Sequence, residues 1–139
     1  MRSPESTDID TSAAAATLRD RKRVVLVVED DRDVLDALAM TLEETDYKVL
    51  RAHNGVEALR QLERHPCDLI LLDLMMPVMN GWDFRSKQKE MPSIARIPVL
   101  LMSAGAHLST ASGELDAVGY VTKPVDVSDL LDIVRQHCP

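Results

Sequence analysis

Short apolar runs rich in Val, Leu and Ile alternate with longer amphipathic stretches from Arg23 onward. That alternation is the pattern of a parallel sheet whose strands are joined by helical crossovers. The predicted strands are Val24–Val28, Lys48–Ala52, Asp68–Leu72, Val99–Met102 and Tyr120–Thr122. Between them, Val34, Leu35, Leu38, Ala39 and Leu42 mark one helical face, and Val56, Leu59 and Leu62 mark a second. Asn54-Gly55 reads as a turn before that second helix. A third helix runs from Trp82 to about Glu90 with a thin stripe, because Arg85 and Gln88 stand where a well-buried helix would be apolar. The last helix opens at Asp126, a suitable N-cap, and turns Val127, Leu130, Leu131 and Val134 to one side. The expected fold is a doubly wound α/β sandwich: five parallel strands flanked by five helices.

The fourth helix is the weak one. Ala104 to Ala117 contains Gly105 and Gly113 and has little apolar periodicity, so a short or mobile helix is expected there. Residues 1–22 also differ from the rest: they are rich in Ser, Thr, Ala and Asp and their charges cancel. They read as a flexible N-terminal tail, with residues 23–139 forming the one domain that 139 residues comfortably supply.

A net charge of −7 opposes nonspecific binding to nucleic acid or to an anionic membrane. No apolar run approaches the roughly 18 residues needed to span a bilayer. Cys67 reads as a buried thiol and Cys138 as a frayed terminal residue. Their isolation suits a reducing cytoplasm.

Open α/β sheets carry their sites beyond the carboxyl ends of the strands. Glu29, Asp30, Asp73, Ser103 and Lys123 all fall there. Each alone also suits a cap or a loop, but their coincidence across four strand ends points to a site. Three carboxylates brought together raise one another's pKa unless a cation or a lysine joins them. Mg²⁺ prefers oxygen ligands, which Asp30, Asp73 and the Met75 carbonyl would supply, with Glu29 acting directly or through water. His53, His65, His107 and His137 lack metal-ligand spacing, and Met75, Met76 and Met79 read as loop packing.

In order and spacing these residues resemble the receiver domains of two-component response regulators. Val27-Val28-Glu29-Asp30 is similar to the acidic-pair motif, and Leu72-Asp73-Leu74-Met75-Met76-Pro77 with Asn80-Gly81 to the phosphorylation-site motif. Met102-Ser103-Ala104 resembles the switch hydroxyl, and Tyr120-Val121-Thr122-Lys123-Pro124 the lysine segment. The resemblance implies a flavodoxin-like receiver fold. It makes Asp73 a Mg²⁺-dependent phosphoryl acceptor from a histidine kinase or phosphotransfer protein. Lys123 and Ser103 would contact the phosphoryl oxygens, Tyr120 would be an aromatic switch coupled to Ser103, and Lys123-Pro124 a cis peptide. Catalysis would be confined to the chain's own phosphorylation and dephosphorylation, and the output would pass by protein contact. The chain's end at Pro139 suits a stand-alone regulator or a receiver cut from a hybrid protein. Two other readings stand beside this one. A non-phosphorylated binding module could keep the fold, although the complete acid, hydroxyl and lysine set argues against it. A haloacid dehalogenase-like phosphohydrolase expects a second acid two residues after its nucleophile, where this chain has Met75.

Overall fold

The computed structural model describes residues 22–76, 78–105 and 108–139. Residues 1–21, where the tail is expected, lie outside the described residues, as do Pro77 and His107. Five strands alternate with five helices: β1 (Val24–Val28), α1 (Arg32–Glu44), β2 (Lys48–Ala52), α2 (Gly55–Arg64), β3 (Leu69–Asp73), α3 (Gly81–Lys89), β4 (Val99–Ser103), α4 (Leu108–Glu114), β5 (Gly119–Thr122) and α5 (Val127–His137). All pairings are parallel, in the order β2-β1-β3-β4-β5. The doubly wound sandwich read from the apolar alternation is therefore the fold.

Alternation along each strand divides the core between the two faces of the sheet. Leu26 and Val28 face Ala58 and Leu62 of α2, Phe84 of α3 and Leu108 and Ala111 of α4. Val25 and Val27 face Leu35, Leu38 and Leu42 of α1 and Leu130 and Val134 of α5. Both faces are covered, so β1, β3 and β4 are buried along their whole length.

Capping sets the helix starts. Asp31 accepts from the Asp33 and Val34 amides to open α1, and Asp126 accepts from Asp129 N to open α5. Asn54-Gly55 is a helix entry rather than a free turn. Asn54 caps α2 through Glu57 N, and a Cβ on Gly55 would stand 2.6 Å from Met79 Sδ. Met79 thus packs as expected and Met76 is buried, whereas Met75 is 68% exposed and not part of that core.

The thin stripe of α3 has a different meaning from the one its sequence suggested. Phe84 is fully buried, but Gln88 is too and Arg85 nearly so, while Trp82 stays 38% exposed. The two polar side chains are buried because each finds its hydrogen-bond partners inside the fold.

Weak patterning after Ser103 gives a helix of seven residues, about two turns, with only Leu108 and Ala111 of it buried. A Cβ on Gly113 would meet nothing within 4 Å. Gly113→Ala therefore removes a helix-weakening residue without a clash, and should stabilise the domain by about 0.5–1 kcal/mol. A thermal melt that moves down instead would show that α4 needs the glycine.

Cys138 is not frayed. It caps α5 with its amide on Val134 O at 2.7 Å, is 3% exposed, and its carbonyl accepts the Tyr47 hydroxyl at 2.7 Å. Cys67 is half-buried, its thiol directed at Leu69 O at 3.2 Å. Burial pushes both thiols up to about 11 from an ordinary 9.0. The thiolate is the reactive form, so a rise of this size cuts it about a hundredfold at pH 8. Native protein should alkylate slowly at pH 8 and progressively faster as pH approaches 11, whereas urea-unfolded protein should react promptly at pH 8. Equal rates in the two states at pH 8 would contradict the burial.

Candidate functional site

The strand order explains how four separate segments meet. The chain leaves β1 toward β2 on one side and resumes at β3 on the other, which opens a crevice at the carboxyl ends of β1 and β3. Glu29 follows β1 and is held by its amide on Ala52 O at 3.0 Å. Asp73 closes β3, and the next amide, Leu74 N, bonds Met102 O at 3.2 Å. Lys123 follows β5, its amide on Ser103 O at 2.9 Å. Backbone pairing thus delivers the carboxylates, the hydroxyl and the ammonium to one edge.

Close approach of α3 shapes the loop after Asp73. Gly81 N bonds Leu74 O at 3.0 Å. A Cβ on Gly81 would lie 2.8 Å from Leu74 Cδ2 and 2.9 Å from Leu74 Cα. Only glycine lets the helix start this near the strand end.

The charged groups are largely withdrawn from solvent: Glu29 is 0% and Asp73 2% exposed. Lys123 Nζ donates to Glu29 Oε1 and, at 3.2 Å, to Asp73 Oδ2. Asp73 Oδ1 accepts Met75 N at 3.1 Å, and Ser103 Oγ accepts Gly105 N at 3.3 Å. Burial raises the Glu29 carboxyl above its usual range, Asp73 adds to the rise, and Lys123 opposes it without cancelling it. For Lys123, burial acts to lower the pKa, but hydrogen bonds and charge from Glu29 and Asp73 overcome it and leave the ammonium raised. One cation is serving more negative charge than it neutralises.

That imbalance suits a metal ion. Glu29, Asp30 and Asp73 each offer a carboxylate oxygen, all within 4.8 Å of one another, and Glu29 Oε2 is buried without a hydrogen-bond partner. A hard divalent cation fits such an all-oxygen donor set. The site opens to solvent through a cavity of about 690 Å³ that also takes in Ser103, Lys123 and the loop at Met75.

Residues 25–135 match the response regulator receiver domain family. The uncharacterized 14.6 kDa protein in the sodA1 3' region of Leptolyngbya boryana is 35% identical over 116 residues, covering 82% of this chain and 88% of that one. The sensory transduction protein RegX3 of Mycolicibacterium smegmatis is 34% identical over 113 residues, covering 80% of this chain. The chain spans only 48% of RegX3's length. Among solved structures, chemotaxis response regulator CheY4 of Vibrio cholerae superposes with a TM-score of 0.77 at 25% identity, covering 84% of this chain and 98% of its own. This chain is a response regulator receiver domain.

Receiver domains are signalling modules that generally bind Mg²⁺ through acidic residues and interact with histidine kinases or phosphotransfer proteins. In this receiver Glu29, Asp30, Asp73, Ser103 and Lys123 converge as their strand-end positions predicted, and Met75 borders the same cavity. The Lys123–Pro124 peptide is cis. Tyr120 is not brought to the site: from β5 it pairs with Leu101 on β4, is 42% exposed, and lies outside the cavity that contains Ser103.

Several cavity residues were not read from sequence as part of the site. Trp82, Leu108 and Ala111 form much of its apolar wall, and Asp31 and Val34 border it from α1. Asp31 had a readable signal, being an N-cap residue in the Glu29-Asp30-Asp31 run. The apolar wall had none, because residues of α3 and α4 line one cavity only in the folded state. Among the described residues no helix is long and apolar enough to cross a membrane.

Proposed function

We propose that Asp73 accepts a phosphoryl group from a histidine kinase or phosphotransfer protein, and that the receiver signals through the resulting change in protein contacts. The observation that supports it most is a nearly buried strand-end carboxylate, bonded to Lys123, beside two further acids and open to a cavity. A buried carboxylate held in place is a suitable nucleophile. An Asp73 oxygen forms a bond to phosphorus while the donor's phosphorus–nitrogen bond breaks, leaving the donor imidazole with the electron pair. Lys123 turns from Asp73 to a phosphoryl oxygen, where a fixed ammonium offsets developing charge. Ser103, on β4, donates its hydroxyl to a second oxygen.

Glu29, Asp30 and Asp73, with the Met75 carbonyl, would hold Mg²⁺, and its charge would offset that of the phosphoryl oxygens. Ser103 drawn toward the phosphoryl group vacates space on the β5 side, and the exposed Tyr120 ring moves inward in response. Residues 23–139 act as the receiver unit and 1–22 as a tail. The isolated, unreactive thiols suit the cytoplasm, and the −7 charge disfavours nucleic acid as a direct partner.

Incubation with acetyl phosphate and Mg²⁺ followed by intact-mass measurement tests the reading. One added phosphoryl group is expected. No adduct with acetyl phosphate or any phosphohistidine donor would favour a receiver that binds partners without being phosphorylated.

A further inference from the structure

Arg85 and Gln88 lie one turn apart on α3 and are buried, at 5% and 0% exposure. The Arg85 guanidinium reaches past its own helix: Nε donates to Leu115 O at 2.9 Å and Nη2 to Asp116 O at 3.0 Å. Its Nη1 donates to Gln88 Oε1 at 2.8 Å, and Gln88 Nε2 in turn donates to Ile94 O at 2.9 Å and Ile97 O at 3.0 Å. Three segments are thereby tied together: α3, the turn leading into β4, and the stretch just past α4. Carbonyls at a helix C-terminus lack helical partners, and a cation there is favourable.

Part of this arrangement serves stability, since apolar side chains at both positions would leave the Leu115 and Ile97 carbonyls without these donors. What leucines would not supply is direction. A planar guanidinium fixes two neighbouring carbonyls at a defined position and angle. The other end of α4 is held differently. Leu108 and Ala111 pack in the core and line the cavity over Asp73, and among the described residues no side-chain hydrogen bond reaches that first turn. Gly113, whose surroundings are empty, lies between the two ends.

We propose that Arg85, braced by Gln88, is the fixed pivot of α4, holding its C-terminal end still while the turn against the cavity responds to what Asp73 carries. Arg85 is in this sense a positioning residue. The proposal rests on phosphoryl acceptance at Asp73 and specifies how that site is read out.

Hydrogen exchange read by mass spectrometry on the full chain, with and without beryllofluoride and Mg²⁺ as the phosphoryl stand-in, tests it. Trp82, the single tryptophan, lines the cavity, and its fluorescence reports loading independently. In the natural chain, loading should change exchange over residues 108–112 and leave 115–118 as they were. Arg85→Leu with Gln88→Leu should melt somewhat below the natural temperature, yet exchange about tenfold faster or more at 115–118 without ligand while the amides of β1 and β3 stay protected. Loading should then spread its effect to both ends of α4. Should the double variant fail to fold, Arg85→Lys, which keeps the charge but loses the planar fork, should show the same loss at 115–118. Unchanged exchange there in a folded variant, or equal changes at both ends of α4 in the natural chain, would overturn the pivot alone. No fluorescence or exchange response to beryllofluoride in the natural chain would overturn phosphoryl acceptance and the pivot together.

Discussion

Asp73→Asn should abolish phosphoryl incorporation, lowering it by at least about a thousandfold, the scale on which loss of a covalent nucleophile is felt. The substitution is nearly isosteric. Its carbonyl oxygen can still accept Met75 N, which Asp73 Oδ1 does at 3.1 Å, so the loop need not move. An amide oxygen is nevertheless a poor nucleophile, and the group is a weaker ligand for a hard cation. The fold should tolerate the change. Asp73 is 2% exposed beside Glu29, and removing one of two buried negative charges around a single ammonium relieves repulsion. Intact-mass measurement after acetyl phosphate treatment, beside a thermal melt, separates these effects. Phosphoryl uptake by a folded Asp73→Asn protein would place the acceptor elsewhere.

Lys123→Met should destabilise the metal-free protein by about 3 kcal/mol, because removing one partner of a buried ion pair leaves its counter-charges uncompensated. Glu29 and Asp73 both depend on this ammonium, which bonds Glu29 through Oε1 and leaves Oε2 with no hydrogen-bond partner. Methionine retains the length and apolar stem of the side chain, so packing loss contributes little. Millimolar Mg²⁺ should recover part of the stability by binding the folded state preferentially, and by a larger increment than in the natural chain. Urea titrations in EDTA and in Mg²⁺ measure both quantities. Equal stability of the two proteins in EDTA would mean that the acids do not need the lysine as counter-ion.

Much of the site was legible along the chain because a parallel sheet converts strand order into spatial proximity. Once the apolar runs were read as strands, Glu29, Asp73, Ser103 and Lys123 had to arrive at the same edge. Helix α4 was legible as weak, since Gly105, Gly113 and the scarcity of large apolar residues are local facts. The burial of Arg85 and Gln88 was not legible, for the opposite reason. A buried guanidinium looks like a solvated one until its acceptors are known, and Leu115 O and Asp116 O lie thirty and thirty-one residues away. Cys138 was misread in the same way. Its burial depends on Tyr47, ninety-one residues earlier.

Residue type and period by themselves determined the class of fold, the order of its elements and the chemical character of the site. These follow from side-chain hydrophobicity, β-propensity and strand-end position, all of which act within a few residues. Tertiary structure alone decided how the charges are shared, with one lysine between Glu29 and Asp73 and one Glu29 oxygen left for a cation. It also decided which residues wall the cavity and what anchors α4. Hydrogen bonds and desolvation act over a few ångströms in space, whatever the separation along the chain, so their partners exist only once the sheet has closed.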